Sequence, residues 1–297
     1  MSTPQAWSTV VDQSTDAAFR AWGAEFSAKM LATGTLTQTA DTGQINWVTV
    51  TRAAINTNAG FQIWYLNDSL HGTAPVYFRI DFGSAGATTA PRIMVTVGTG
   101  TNGSGTLTGT ALTISRAVTA GSNPTSTVTA YASYMCAVEG FFGFAWKCGP
   151  AGNTNASRAF FVFQRSVDTA GAFSAQGGWA LWGIGSSWVQ QNLRFASTAA
   201  AYTVTTNNAQ FPCVIPGAVT SSTVGSNFQA YIHWGAFPDV LPMVGTCTAL
   251  QTEVAFNSTF SVAMVAGVSH TYIQLGSVNS AETTALPSVW GFCMRWE

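Results

Sequence analysis

The sequence predicts a β-rich chain: an α+β N-terminal domain over residues 1–120, followed by an all-β, sandwich-like C-terminal domain over residues 121–297. Three observations carry this reading. One stretch, Asp16 to Thr33, spaces its apolar residues as a helix does. From Gly34 onward the texture changes to short runs of Val, Ile, Thr, Phe, Tyr and Trp separated by Gly, Asn and Pro, which is the pattern of strands joined by turns. The segment Thr119 to Thr127, Thr-Ala-Gly-Ser-Asn-Pro-Thr-Ser-Thr, has the composition of a long loop and marks the expected division.

Ser14 or Thr15 can cap the helix, Asp16 sits in its first turn, and Gly34 offers a left-handed stop. Phe19, Trp22, Phe26 and Met30 form its single apolar stripe, which needs a sheet to bury it. Glu25 and Lys29 stand four apart and predict an exposed ion pair. Strands are expected at Ile45 to Thr51, Phe61 to Asn67, Val76 to Phe82, Arg92 to Val97 and Leu107 to Ser115. The imperfect alternation of Phe61 to Asn67 predicts a strand covered on both faces, whereas Val76, Phe78, Ile80 and Phe82 share one face opposite Tyr77, Arg79 and Asp81. In the second half, strands are expected at Val128 to Val138, Phe141 to Lys147, Ala159 to Arg165, Trp179 to Ile184 and Ala201 to Thr205. Further ones follow at Phe228 to Trp234, Phe260 to Ala266, Thr271 to Leu275 and Val289 to Trp296. No repeat of fixed period suggests a propeller or solenoid.

Charge is scarce: 11 Lys and Arg and 12 Asp and Glu make 8% of the residues, against about 25% in an ordinary soluble chain. Without clustered Lys and Arg, neither nucleic acid nor an anionic membrane surface is an expected partner. No run of 18 apolar residues predicts membrane insertion, and the N-terminus lacks a secretory pattern, so synthesis in a cytoplasm is expected. Weakly charged surfaces associate, so the expected first partner is the chain itself, as a homo-oligomer. Not one charged residue lies between Arg194 and Asp239, which points to protein contact there or to a polar Ser/Thr/Asn surface.

Local motifs give little chemistry. Cys136, Cys148, Cys213, Cys247 and Cys293 form no CxxC pair, and His71, His233 and His270 have no ligand spacing, so buried free thiols and no metal are expected. Gly98-Thr-Gly100-Thr-Asn-Gly103 matches a dinucleotide fingerprint, but Ser104-Gly-Thr-Leu-Thr-Gly109 follows where a helix should open; a turn loop and no cofactor are expected. No GxSxG occurs. Asp68 with Asp81, and Glu139 with Asp168, could pair as acid and base, but turns or the neighbouring Arg79 and Arg165 explain them more simply. No catalytic, cofactor-binding or metal residue is therefore assigned. Trp179, Trp182 and Trp188 form the densest aromatic group and are the candidate ligand or interface contact, with core packing as the plainer alternative.

Five pieces occur in order: Asp16 to Gly23, Gly34 to Trp47 with Gln38, Asp41 and Gln44, Gly60 to Leu70 with Asn67 and Asp68, Pro75 to Gly83, and Thr96 to Gly105. Over residues 16–109 the chain thereby resembles a class of tailed-bacteriophage virion proteins encoded among tail and baseplate genes. The resemblance implies a structural, non-enzymatic protein of the tail tip or baseplate, assembled in the host cytoplasm and located in the virion. Its partners would be further virion proteins and copies of itself, a trimer by virion symmetry. The rival expectations are a receptor-binding tail fibre or spike module for host glycan or protein, a head-decoration protein, and an envelope depolymerase.

Overall fold

The computed structural model describes residues 2–10, 12–85, 90–109, 112–113, 118–119, 130–147, 158–165, 167–168, 170–173, 179–184, 194–196, 230–234, 237–241, 245–246, 259–263, 269–277 and 291–297. These form one helix and a set of antiparallel sheets, so the chain is β-rich as expected. The first half contains β1 (Gln5–Val10), α1 (Asp16–Ala32), β2 (Leu36–Gln38), β3 (Asn58–Leu66), β4 (Tyr77–Ala85) and β5 (Ala90–Gly98). The short β6 (Gly100–Thr101), β7 (Leu107–Thr108), β8 (Leu112–Thr113) and β9 (Val118–Thr119) follow. The second half begins with β10 (Ala130–Val138), β11 (Phe141–Lys147), β12 (Arg158–Arg165), β13 (Trp179–Ile184) and β14 (Arg194–Ala196). It continues with β15 (Ala230–Trp234), β16 (Phe237–Leu241), β17 (Gly245–Thr246), β18 (Thr259–Ala263), β19 (Ser269–Ser277) and β20 (Gly291–Arg295). The expected strand at Ala201 to Thr205 and most of the charge-free stretch lie outside the described residues.

Thr15 is the N-cap of α1: its hydroxyl accepts from the Ala18 amide at 3.1 Å. Gly34, at φ 79°, ends the helix in the left-handed region, where a side chain would be strained. The apolar stripe is buried as expected. The expected Glu25–Lys29 pair does not form, because both residues turn to β1: Glu25 accepts from the Thr9 hydroxyl, and Lys29 lies over the Trp7 ring, 5.7 Å from its centroid. The flank of the helix is therefore covered by a strand that local patterning did not predict.

Two large sheets face one another. One has the order β2-β3-β4-β5-β8, and β9 also pairs with β5. The other has the order β1-β10-β11-β12-β13-β14. Val76, Phe78, Ile80 and Phe82 all point inward and are buried, as their alternation predicts. They meet Phe142, Phe144, Phe161 and Phe163 from the opposite sheet in a single hydrophobic core. Ring centroids between the sheets lie 5.0 Å apart for Phe78–Phe142 and 5.2 Å for Phe78–Phe163, and Phe26 of α1 lies 5.2 Å from Phe144. Each such edge-on aromatic pair contributes about 0.5–1.5 kcal/mol beyond area burial. The helix packs at the side of this sandwich against β1, β2 and β10.

The expected division at residue 120 lies in a stretch outside the described residues, and the sheets on its two sides share one core. β1, from the extreme N-terminal part, is moreover the edge strand of the second-half sheet, with Gln5 opposite Met135 and Val10 opposite Ala130. The sandwich is thus built between the halves. A further sheet, β17-β20-β19-β18, covers part of the outer face of the second-half sheet. There Met294 packs beside Gly143, and the Tyr134 and Trp296 rings lie 5.9 Å apart.

The expected strand at Ile45 to Thr51 is a turn. Asn46 accepts from the Val48 amide at 2.9 Å through its side chain, and its carbonyl accepts from Val50 at 2.9 Å, a local alternative to ladder pairing. The turn delivers Trp47 onto α1, where its Nε1 donates to the Ser27 hydroxyl at 2.9 Å. Gly23 makes room: a Cβ built there would come within 2.5 Å or less of three Trp47 ring carbons. Leu107 to Ser115, expected as one strand, is divided between β7 and β8.

Candidate functional site

Trp179 opens β13 opposite Arg165 and Ala196. It is 2% exposed, belongs to the shared core, and has its ring 5.7 Å from that of Phe163. In this fold it presents no open ring face to a ligand. Trp182 stands opposite Val162 in the same strand, and Trp188 lies outside the described residues.

The carboxylates that could have paired as acid and base are engaged separately. Asp68 and Arg165 form a two-pronged ion pair, Nε to Oδ2 at 2.5 Å and Nη2 to Oδ1 at 3.0 Å, with both side chains 0% exposed. The pair ties the loop after β3 to β12 of the facing sheet. Next to it, the Ser69 amide donates to Glu139 Oε1 at 2.8 Å, while Arg295 donates to the Glu139 carbonyl at 3.3 Å. Three sheets are thereby joined within a few residues. Asp81 is held by Arg79, with Nη2 to Oδ1 at 2.7 Å. Asp168 accepts from the amides of Ala170 and Ala172 within its own turn. His71 stacks on Tyr65 with centroids 4.3 Å apart, so it is packed rather than free in its loop.

The glycine-rich segment resolves into the β6–β7 hairpin, with no helix at its end. Two charged residues fasten it. Burial alone would raise the Asp41 carboxyl, but hydrogen bonds led by the Thr101 hydroxyl, with the Gly105 amide at 3.1 Å, hold it below its ordinary value of 3.8. Arg79 Nη1 donates to the Gly105 carbonyl at 2.6 Å while its guanidinium lies over Phe61, 4.2 Å from the ring centroid. Backbone amides that a phosphate would need are committed to Asp41 and to the loop's own turns.

Cys136 is a buried free thiol, as expected; burial pushes it up to about 12, and its Sγ donates to the Trp296 carbonyl at 3.4 Å. Among the described residues no group of His, Cys, Asp and Glu could hold a metal ion, and no helix is long and apolar enough to cross a membrane. One concavity escaped the sequence reading because β1 was not recognised as a strand: a groove of about 430 Å³ between β1 and α1, with Asp12 and Glu25 in its lining.

These features define a β-rich, sandwich-like arrangement in which the described ion pairs, Arg79–Asp81 and Asp68–Arg165, fasten loops and sheets together. No family model, curated protein or solved structure matches the chain.

Proposed function

We propose that the chain is a structural component of a bacteriophage virion, placed at the tail tip or baseplate and acting without catalysis. The observation that carries this reading is the interlocking of the sequence pieces that resemble tail and baseplate proteins. Asp41 of the second piece binds Thr101 and Gly105 of the last, Gln44 accepts from Ile63 of the third at 2.8 Å, and Trp47 rests on the helix of the first. Pieces that stand apart in the sequence thus support one another in space. The carboxylates that an enzyme reading would use each hold a structural contact, which favours the structural role over a depolymerase.

In this reading attachment and contact surfaces belong to one folded body, with the helix-bearing residues 1–120 on the attaching side. Residues 121–297, which include the charge-free stretch, supply subunit or receptor contact. The test is an electron-microscopy map of the particle encoded with this chain, which should hold the two-sheet fold at the tail tip or baseplate. Particles whose complete protein inventory lacks the chain refute the proposal.

A further inference from the structure

Among the described residues, the groove between β1 and α1 has a chemistry that specifies an occupant. Ser8, Thr9 and Val10, three consecutive residues, all line it. Successive side chains of a strand leave on opposite faces, so a cavity touching three in a row runs along the strand's edge. β1 is the terminal strand of its sheet and pairs with β10 on one side only. Among the described residues, no further backbone hydrogen bond reaches Ser8, Thr9 or Val10. Edges are usually blunted by charge, proline or a bulge, yet Gln5-Ala-Trp-Ser-Thr-Val10 carries no charge and no proline. The opposite wall is helical and partly apolar, with Trp22 and the exposed Ala21.

The charge of the groove has one sign. Asp12 and Glu25 line it without any Lys or Arg, and Lys29, one turn beyond Glu25, is drawn over Trp7. Glu25 is held in place by the Thr9 hydroxyl, and Asp12 by the Ser14 amide at 2.7 Å. We propose that this groove takes an extended segment of a partner protein, which adds as a strand to the free edge of β1 and carries Lys or Arg toward Asp12 and Glu25. Strand addition supplies backbone hydrogen bonds for affinity, and the carboxylates supply specificity. A second copy of β1 is a poorer occupant, because that strand is uncharged and leaves both carboxylates uncompensated. This binding role is separate from the virion reading: particle location can fail while the peptide binds, and the reverse.

The test uses the full chain with three capped hexapeptides: Thr-Lys-Val-Lys-Val-Thr, its counterpart with Glu for Lys, and the lysine peptide N-methylated at alternate residues. The lysine peptide should slow amide exchange at Ser8 to Val10 and bind about tenfold or more tightly than the glutamate peptide. Methylation should abolish binding. Glu25→Gln, which keeps an acceptor for Thr9, should weaken the lysine peptide about threefold. Ala21→Trp fills the groove from an exposed position and should eliminate binding at unchanged melting temperature. Equal affinity for the acidic and basic peptides, undiminished binding of the methylated peptide or by Ala21→Trp, or protection of the same amides by self-association without peptide would each overturn the proposal.

Discussion

Replacing Gly23 with alanine should destabilise this protein, although the same change inside a helix ordinarily stabilises it by about 0.5–1 kcal/mol. The added methyl would occupy space held by the Trp47 ring, well inside the 3.0 Å that such carbons keep. Trp47 could yield only by giving up its hydrogen bond to Ser27 and its edge-on contacts with Phe82 and Phe19, at centroid distances of 4.8 and 5.5 Å. A hydrogen bond contributes about 1 kcal/mol and each aromatic contact about 0.5–1.5 kcal/mol. The loss is therefore about 2–4 kcal/mol, and the net destabilisation about 1–3 kcal/mol once the helix gain is subtracted. Denaturant unfolding of Gly23→Ala, Trp47→Ala and the double variant forms the assay. In the Trp47→Ala background the alanine should revert to stabilising. A wild-type background in which Gly23→Ala raises stability, or an effect independent of residue 47, refutes the packing account.

Two further perturbations address the polar framework. Asp68→Asn leaves Arg165 charged and buried without its counter-ion, so chemical unfolding should show a loss of about 3–5 kcal/mol, whereas Asp68→Leu with Arg165→Met should recover most of it; an Asp68→Asn protein of wild-type stability contradicts this. His270 is held neutral, its imidazole lowered from the ordinary 6.5 to about 4 by burial and then by the Arg295 charge. The unfolded chain therefore takes up a proton that the folded one refuses, so this contribution is intact above pH 6.5 and is lost as pH falls toward 4. Melting temperatures of wild type and His270→Gln should converge toward pH 4; parallel curves across that window would falsify the assignment.

Much of the fold was legible locally. The cap, the aromatic stripe and Gly34 delimit α1 because helix ends have side-chain chemistry of their own. Most second-half strands stand within a few residues of their expected places, because β-branched and aromatic runs bounded by glycine have few other uses. Other features were not legible. β1 mixes Gln, Ala and Ser with Trp, Thr and Val, so it lacks an unbroken run of strand formers. Ile45 to Thr51 has strand composition, but the Asn46 turn and the Trp47 slot over Gly23 are tertiary facts. Pairing between residues 5–10 and 130–135 leaves no local trace in either segment, because the partners stand far apart in the sequence. At the candidate site, the buried state of Trp179 comes from Phe163 on a neighbouring strand, which no spacing within its own segment encodes.

The pairing of β1 with β10 also has a temporal side. A ribosome adding about 5–20 residues per second needs on the order of 10 s to deliver residue 135 after residue 5, its partner across the ladder. Throughout that interval the nascent chain holds the inward faces of β4 and α1 without the aromatic sheet that covers them. Such long-range closure is slow, and it leaves apolar faces and open strand edges exposed to neighbouring chains. Crowded polysomes are therefore a setting in which this sequence risks misassembly.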